Sequence, residues 1–292
     1  MTLTPYSPHC LAVDYDGIRW IHTGGFAAPD GAGICRSAAK LFRKTRDALA
    51  IAGADWDDVV RTWWYIGDIT GAEGETQRYK ELNRARTTAF AAVRFGNGHL
   101  RVSPGGLGFP ASTGIGMEAG SGLGLATLAL QTDRSDVQLV PLENPLQTPA
   151  YDYATCYSPK SPKFSRAMAL VTPEYVTTWI SGTASIVQSE VLYQGNIVAQ
   201  TEQTFDNIAA LIAAENFAAH GVHYAGATLR DLAKVRVYIK RAEDFAACRA
   251  VCERRLDGVP AVYVQADICR PELLLEIEGV SFARRSGAMQ PP

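Results

Sequence analysis

Two glutamates near the end of the chain, Glu276 and Glu278, interrupt an otherwise apolar run from Leu273 to Val280. Successive strand residues face opposite ways, so both carboxylates share one face and Leu275 and Ile277 take the other. A carboxylate buried without a partner is costly, so it either finds a cation or keeps its proton. A carboxyl held neutral near physiological pH is a ready general acid. The other interpretation is a solvated edge strand, on which two glutamates do no chemistry. Cys269 lies seven residues before Glu276, and whether its thiol shares the carboxylate face depends on the turn at Arg270–Pro271. It could move a proton there, or simply be a small core hydrophobe. A second cluster runs from Tyr151 to Arg166, where Tyr151, Tyr153 and Tyr157 are followed by Lys160, Lys163 and Arg166 among prolines. Phenols and cations on one loop suit a small anion, since arginine offers a bidentate fork and tyrosine a hydroxyl on an apolar body. The same composition would also serve a linker packed at a domain junction.

The 292 residues are enough for one large or two ordinary domains, and 47% hydrophobic residues supply a packed core. A formal charge of −2 excludes a broad basic field for nucleic acid or an acidic membrane. No apolar run is long enough to span a bilayer, and Met1–Asp14 lacks the pattern of a signal peptide, so a soluble, cytoplasmic protein is expected. The six cysteines form no Cys-x-x-Cys pair or regular framework, which suits free thiols in a reducing compartment. His220 and His223 have no obvious third ligand, so no metal site is expected.

The elements that must position these groups occur twice. Ile18–Thr23 reads as a strand closed by Gly24–Gly25. Arg36–Ala52 follows as a helix with Ala38, Leu41, Thr45, Leu49 and Ala52 on one stripe. Val59–Ile66 is a strand, Gln77–Val93 a second helix, and Gly114–Leu130 β-like. In the second half Trp179–Thr183, Thr201–Glu215, Leu232–Ile239, Asp244–Leu256 and a last strand, Pro260–Val280, repeat that order. The first half adds a glycine-rich loop at Gly96–Gly108, and the second a hairpin-like insert at Val191–Gln200 around Gly195–Asn196. Asp133–Thr148, with Pro141 and Pro145, reads as a linker, dividing the chain into 1–148 and 149–292. The step from Pro260 to Glu276 is matched from Pro110 by Ala126, so the first half lacks the carboxylate. This points to a working site in the second half and a structural first half.

Gly182–Ile186, Gln200–Thr204, Val235–Ile239 and Glu276-Ile277-Glu278 resemble the RidA/YjgF fold. Together with Tyr153, Tyr157, Ser161–Pro162, Phe164–Ala167 and a strand at Gln265–Arg270, the whole chain resembles the chorismatases over roughly residues 14 to 285. The resemblance implies an α/β (α+β type) fold of two tandem RidA/YjgF-like units, each a mixed sheet packed against helices. It also implies cleavage of the enolpyruvyl ether of chorismate to pyruvate and a ring product, with neither metal nor organic cofactor. By resemblance Glu276 protonates the enolpyruvyl methylene, and Tyr153, Tyr157 and Arg166 orient the substrate. The second carboxylate of chorismate needs another cation, for which Arg236, Arg249 and Arg270 are candidates. Gly182 and Cys269 match the branch that makes 3-hydroxybenzoate; the hydrolytic branch, which gives a dihydrodiol acid, has alanine at both. The alternatives are a RidA-like enamine/imine deaminase and a non-catalytic module that binds aromatic acids. The deaminases carry a carboxylate-holding arginine where this chain has Val262. RidA-type proteins are trimers, so a homotrimer is one expectation and a monomer, given the duplication, the other.

Overall fold

The computed structural model describes residues 1–96 and 107–285, so most of the loop expected at Gly96–Gly108 lies outside the described residues. In the first unit a hairpin, β1 (Thr2–Ser7) and β2 (Cys10–Tyr15), leads into β3 (Ile18–Ala28), α1 (Ile34–Ile51) and β4 (Val59–Gly67). A two-residue ladder, β5 (Ala72–Glu73) with β6 (Thr76–Gln77), turns into α2 (Arg78–Phe90), followed by β7 (Ala111–Met117) and β8 (Leu123–Thr132). Strand β3 does not stop at its glycines: it bulges between Thr23 and Phe26, where Gly25 takes φ 71°. Helix α1 buries Ala38, Leu41, Thr45 and Leu49, the expected stripe, and Glu73 accepts the Ile34 N–H at its start (2.7 Å).

The second unit begins with β9 (Gln138–Leu142) and continues through β10 (Ala167–Val171) and β11 (Tyr175–Thr183). A short ladder of β12 (Ile186–Val187) and β13 (Glu190–Val191) precedes α3 (Ile197–Ile212) and α4 (Ala214–Ala219). Then come β14 (Leu232–Ile239), α5 (Phe245–Leu256), β15 (Ala261–Gln265) and β16 (Leu275–Arg284). The sheets run β1-β2-β3-β8-β4-β7 and β9-β10-β11-β16-β14-β15. The order is the same strand for strand, with one parallel pair in each, β4 with β7 and β14 with β15.

Three expectations need correction. Gln138–Leu142, expected within a linker, is the edge strand of the second sheet and the counterpart of β1; its Pro141 fits there because an edge strand can spare an N–H. No hairpin forms around Gly195–Asn196. Asn196 instead caps α3 by accepting the Ala199 N–H, and the ladder lies upstream at β12 and β13. The run Pro260–Val280 is two strands on opposite sides of β14, joined by a crossover through Ala266–Leu274; Gln265–Arg270 is therefore mostly crossover, not strand. Asp267 anchors that crossover to the first unit, accepting from Thr70 Oγ1 (2.8 Å) and, through its carbonyl, from the Gly116 N–H (2.8 Å).

Helices cover one face of each sheet with separate apolar cores. The opposite faces pack together through Ile18, Leu128 and Leu130 of the first unit and Leu139, Met168 and Trp179 of the second. Trp20 and Trp179 meet edge-on across this junction at 5.7 Å. No described helix is long and apolar enough to cross a membrane.

Candidate active site

Strand β16 lies inside its sheet, between β14 and β11, so the solvated-edge interpretation of its glutamates fails. Both carboxylates are buried, and they are treated oppositely. Glu278 accepts on one oxygen from Arg61 Nη2 (2.6 Å), Thr113 Oγ1 (2.5 Å) and Trp63 Nε1 (3.0 Å). On the other it accepts from Arg236 Nη1 (2.6 Å) and Tyr238 OH (3.0 Å). Those cations and donors hold it ionised, its pKa below the usual carboxylate value despite burial. Glu276 has no hydrogen-bond donor among the described residues. Burial, and then the charge of Glu278, push its carboxyl up to about 8, against the opposing pull of Arg61 and Arg166. It is a protonated acid at neutral pH.

Gly182 abuts this acid. The β11 ladder shifts between Ile180 and Thr183, and the bulge frees the Gly182 N–H to donate to Thr113 Oγ1 of the first unit (3.0 Å). A β-carbon at position 182 would overlap the Glu276 carboxyl, so only glycine admits the acid in this position. Cys269, on the crossover, lines the same cavity, and burial followed by the neighbouring Glu276 pushes its thiol up to about 12. It is therefore a thiol rather than a thiolate.

The cavity encloses about 240 Å³, at the small end of ligand pockets. Arg166 lies buried between the rings of Phe164 and Tyr153, donating through Nη2 to Tyr153 OH (2.7 Å) and the Thr148 carbonyl (2.8 Å). Its Nε has no partner among the described residues. Arg270 stacks over Tyr153 and Tyr157 at 5.1 and 4.8 Å and donates to the Ser189 carbonyl. Tyr157 bonds Glu190 of β13. The structure thus brings Glu276, Cys269, Gly182, Tyr153, Tyr157 and Arg166 to one pocket.

The expectation of a purely structural first half does not survive. Helix α2 forms a wall of the pocket with Tyr79, Asn83 and Arg86. Arg86 is 1% exposed, and none of its three side-chain nitrogens meets a hydrogen-bond partner among the described residues. It faces the rings of Trp64 and Tyr79 at 5.8 and 5.7 Å. Burial pulls its pKa below the ordinary guanidinium value, and Tyr79 only partly offsets this without reaching hydrogen-bond geometry. Both amide atoms of Asn83 are likewise unpartnered. A buried guanidinium with no anion is set up to receive one. The signal was in the sequence: residues 79, 83 and 86 follow the i, i+4, i+7 stripe that a helix turns inward, and here that stripe is polar. Of the three cations offered from sequence for the second carboxylate, only Arg270 lines the pocket. Arg236 is committed to Glu278, and Arg249 lies on the surface beside Glu253 (2.7 Å). Val262, at the deaminase arginine position, is 46% exposed on an edge strand and lines no part of the pocket. His220 is structural: Nε2 accepts the Glu143 N–H (3.0 Å) and Nδ1 meets the Asn216 carbonyl (2.8 Å).

Two sheets of identical strand order, each backed by helices and enclosing a shared pocket with a buried acid, define a tandem RidA-like protein. Residues 161–283 match the family model described as Endoribonuclease L-PSP, and residues 15–129 match Chorismatase FkbO/Hyg5-like, N-terminal. The chain is 34% identical over 279 residues to a 3-hydroxybenzoate synthase of Streptomyces hygroscopicus, covering 91% of this chain and 76% of that protein. It is 32% identical over 276 residues to a chorismatase of Streptomyces rapamycinicus, covering 91% and 77%. A crystal structure of a chorismatase superposes with a TM-score of 0.78 at 28% identity, covering 95% of this chain and 78% of that one. The chain belongs to the chorismatase family.

Proposed function

We propose that this protein cleaves the enolpyruvyl ether of chorismate to pyruvate and 3-hydroxybenzoate, with Glu276 as the acid. The observation that carries the assignment is the Glu276 carboxyl: buried, protonated at neutral pH and facing a pocket whose cations await an anion. Its proton goes to the enolpyruvyl methylene carbon, leaving an oxocarbenium ion beside the new Glu276 carboxylate. The neighbouring ring hydroxyl then bonds to the ring carbon that carries the ether as the C–O bond there breaks; the ether oxygen leaves as the ketone oxygen of pyruvate, and the arene-oxide-like species left behind opens to the aromatic acid. The ring proton lost on aromatisation returns to Glu276, with the Cys269 thiol beside it to pass a proton on. The atoms of chorismic acid equal those of pyruvic and 3-hydroxybenzoic acids together, so the step consumes no water, oxidant or reductant.

Arg166 with Tyr153 takes one substrate carboxylate, Arg86 takes the other, and Tyr157 with Arg270 closes the mouth of the pocket. Gly182 supports the aromatic product over the dihydrodiol, because the alanine of the hydrolytic branch would displace the Glu276 carboxyl. The two units, proposed as residues 1–148 and 149–292, act as one enzyme, with β9 handed across that boundary to the second sheet. One chain supplies every wall of the pocket named here, which supports a competent monomer over an obligate trimer; sedimentation at assay concentration checks this. The six free cysteines fit a reducing, cytoplasmic setting.

The direct test is to incubate the purified protein with chorismate, separate the products by chromatography and follow pyruvate with a coupled assay. Pyruvate with 3-hydroxybenzoate is the expected result. Pyruvate with the dihydrodiol would retain the acid and overturn the partition, and absence of pyruvate would overturn the reaction.

A further inference from the structure

Two buried carboxylates sit two residues apart on one face of β16, about 7 Å apart along the strand, yet only one has hydrogen-bond partners among the described residues. Arg61 and Arg236 both reach the outer one, Glu278. Arg61 is wholly buried and would be destabilising without an anion. If Glu278 were neutral, the next carboxyl available to Arg61 would be Glu276, whose charge it already favours. We propose that Glu278 is a positioning residue that serves as the dedicated counter-ion of Arg61 and Arg236, so that Glu276 is not drafted into that role and keeps its proton.

Three of the five donors to Glu278, namely Arg61, Trp63 and Thr113, come from the first unit. Docking of the unit that lost its own carboxylate therefore sets the protonation of the acid in the other. Strand β8, the counterpart of β16, reads LGLATLALQT and carries no acid at all. The groups that face Glu276 agree with this division of labour. Glu278 lies on its own strand, Tyr238 on β14 opposite it in register, and Gly182 on β11; Arg61 lies on β4, Arg166 just ahead of β10, Cys269 on the crossover and Tyr79 on α2. Tyr238 and Tyr79 are both held well above the ordinary phenol value, and Cys269 is also neutral, so Glu278 is the permanent anion in the set.

The inference rests on Glu276 being the acid, and its test separates the two ideas. Infrared difference spectra of wild type against Glu276→Gln report the protonated Glu276 carbonyl directly, without turnover, while pyruvate release tests the reaction. In Glu278→Gln the two arginines lose their anion, so the Glu276 titration midpoint should fall by at least one pH unit, and the alkaline limb of kcat with it. Arg236→Gln makes the opposite change at a half-exposed site that tolerates substitution, and should move the midpoint up. An unmoved midpoint in folded Glu278→Gln overturns the proposal. Should that variant not fold, an unmoved or lowered midpoint in Arg236→Gln does the same. A wild type that shows the carbonyl band but releases no pyruvate would instead overturn the proposed reaction.

Discussion

Glu276 carries opposite consequences for activity and stability. Replacing it with glutamine keeps the volume and removes the proton, so pyruvate release should fall by about 10²–10⁴-fold, the usual worth of a general acid. With Glu276 as the proposed acid the protonated form acts, so the wild-type rate should decline as pH rises through about 8. In the unfolded chain the same group ionises near ~4.3. Between those values the folded state holds one proton more, so this group makes stability fall as pH rises across that window. Glu276→Gln should therefore melt higher than wild type near pH 8, and a thermal scan of both proteins across pH checks it. The proposed reaction makes Gly182 and Cys269 the residues that partition the product. Gly182→Ala with Cys269→Ala should divert product toward the dihydrodiol, read as the product ratio by chromatography; an unchanged ratio would discard the partition.

Helix α2 illustrates how an element can be chosen for function against its own stability. Its inward stripe holds Tyr79, Asn83 and Arg86 where leucine-like residues would pack better, and it leaves a guanidinium buried with no hydrogen-bond partner among the described residues. Arg86→Met fills similar space without charge. It should raise KM for chorismate by about 10- to 100-fold, the loss of a charge-assisted hydrogen bond. The same change should raise Tm, since an uncompensated buried cation is gone. Steady-state kinetics and calorimetry on one variant test both signs, and an unchanged KM with a lowered Tm would show that Arg86 is structural.

At the scale of the molecule, the two units are joined by more than an apolar seam. The Arg61–Glu278 ion pair crosses between them at 2.6 Å with both side chains buried, and the Gly182 N–H is bonded to Thr113 across the same junction. Arg61→Met leaves Glu278 short of a buried partner and should cost about 3–5 kcal/mol, measured by denaturant unfolding. Because the junction is shared, wild type should unfold in one transition, with tryptophan fluorescence from the Trp20–Trp179 contact coinciding with far-ultraviolet circular dichroism. Two separated transitions would mean that the units are independently stable.

Local chemistry was enough to reveal the repeat and many of the residues that line the candidate pocket. Strand β14 falls on the expected residues, and the helices α1, α2 and α5 lie within a few residues of theirs. Alternation alone put Glu276 and Glu278 on one face, because strand periodicity is a property of neighbours in the chain. What periodicity cannot report is which strand lies at an edge, since edges are made by pairings between residues far apart in sequence. Hence Gln138–Leu142 passed for a linker, and the run through Pro260–Val280 passed for one strand. The division of labour between Glu276 and Glu278 was equally hidden. It depends on Arg61, Trp63 and Thr113, which lie 165 to 217 residues away and reach Glu278 only because the sheets pack face to face. The sequence determined which residues could do chemistry, through their types and spacing. The tertiary structure decided which carboxyl stays protonated and which arginine stays free, because desolvation and counter-ions are set by what the fold brings near.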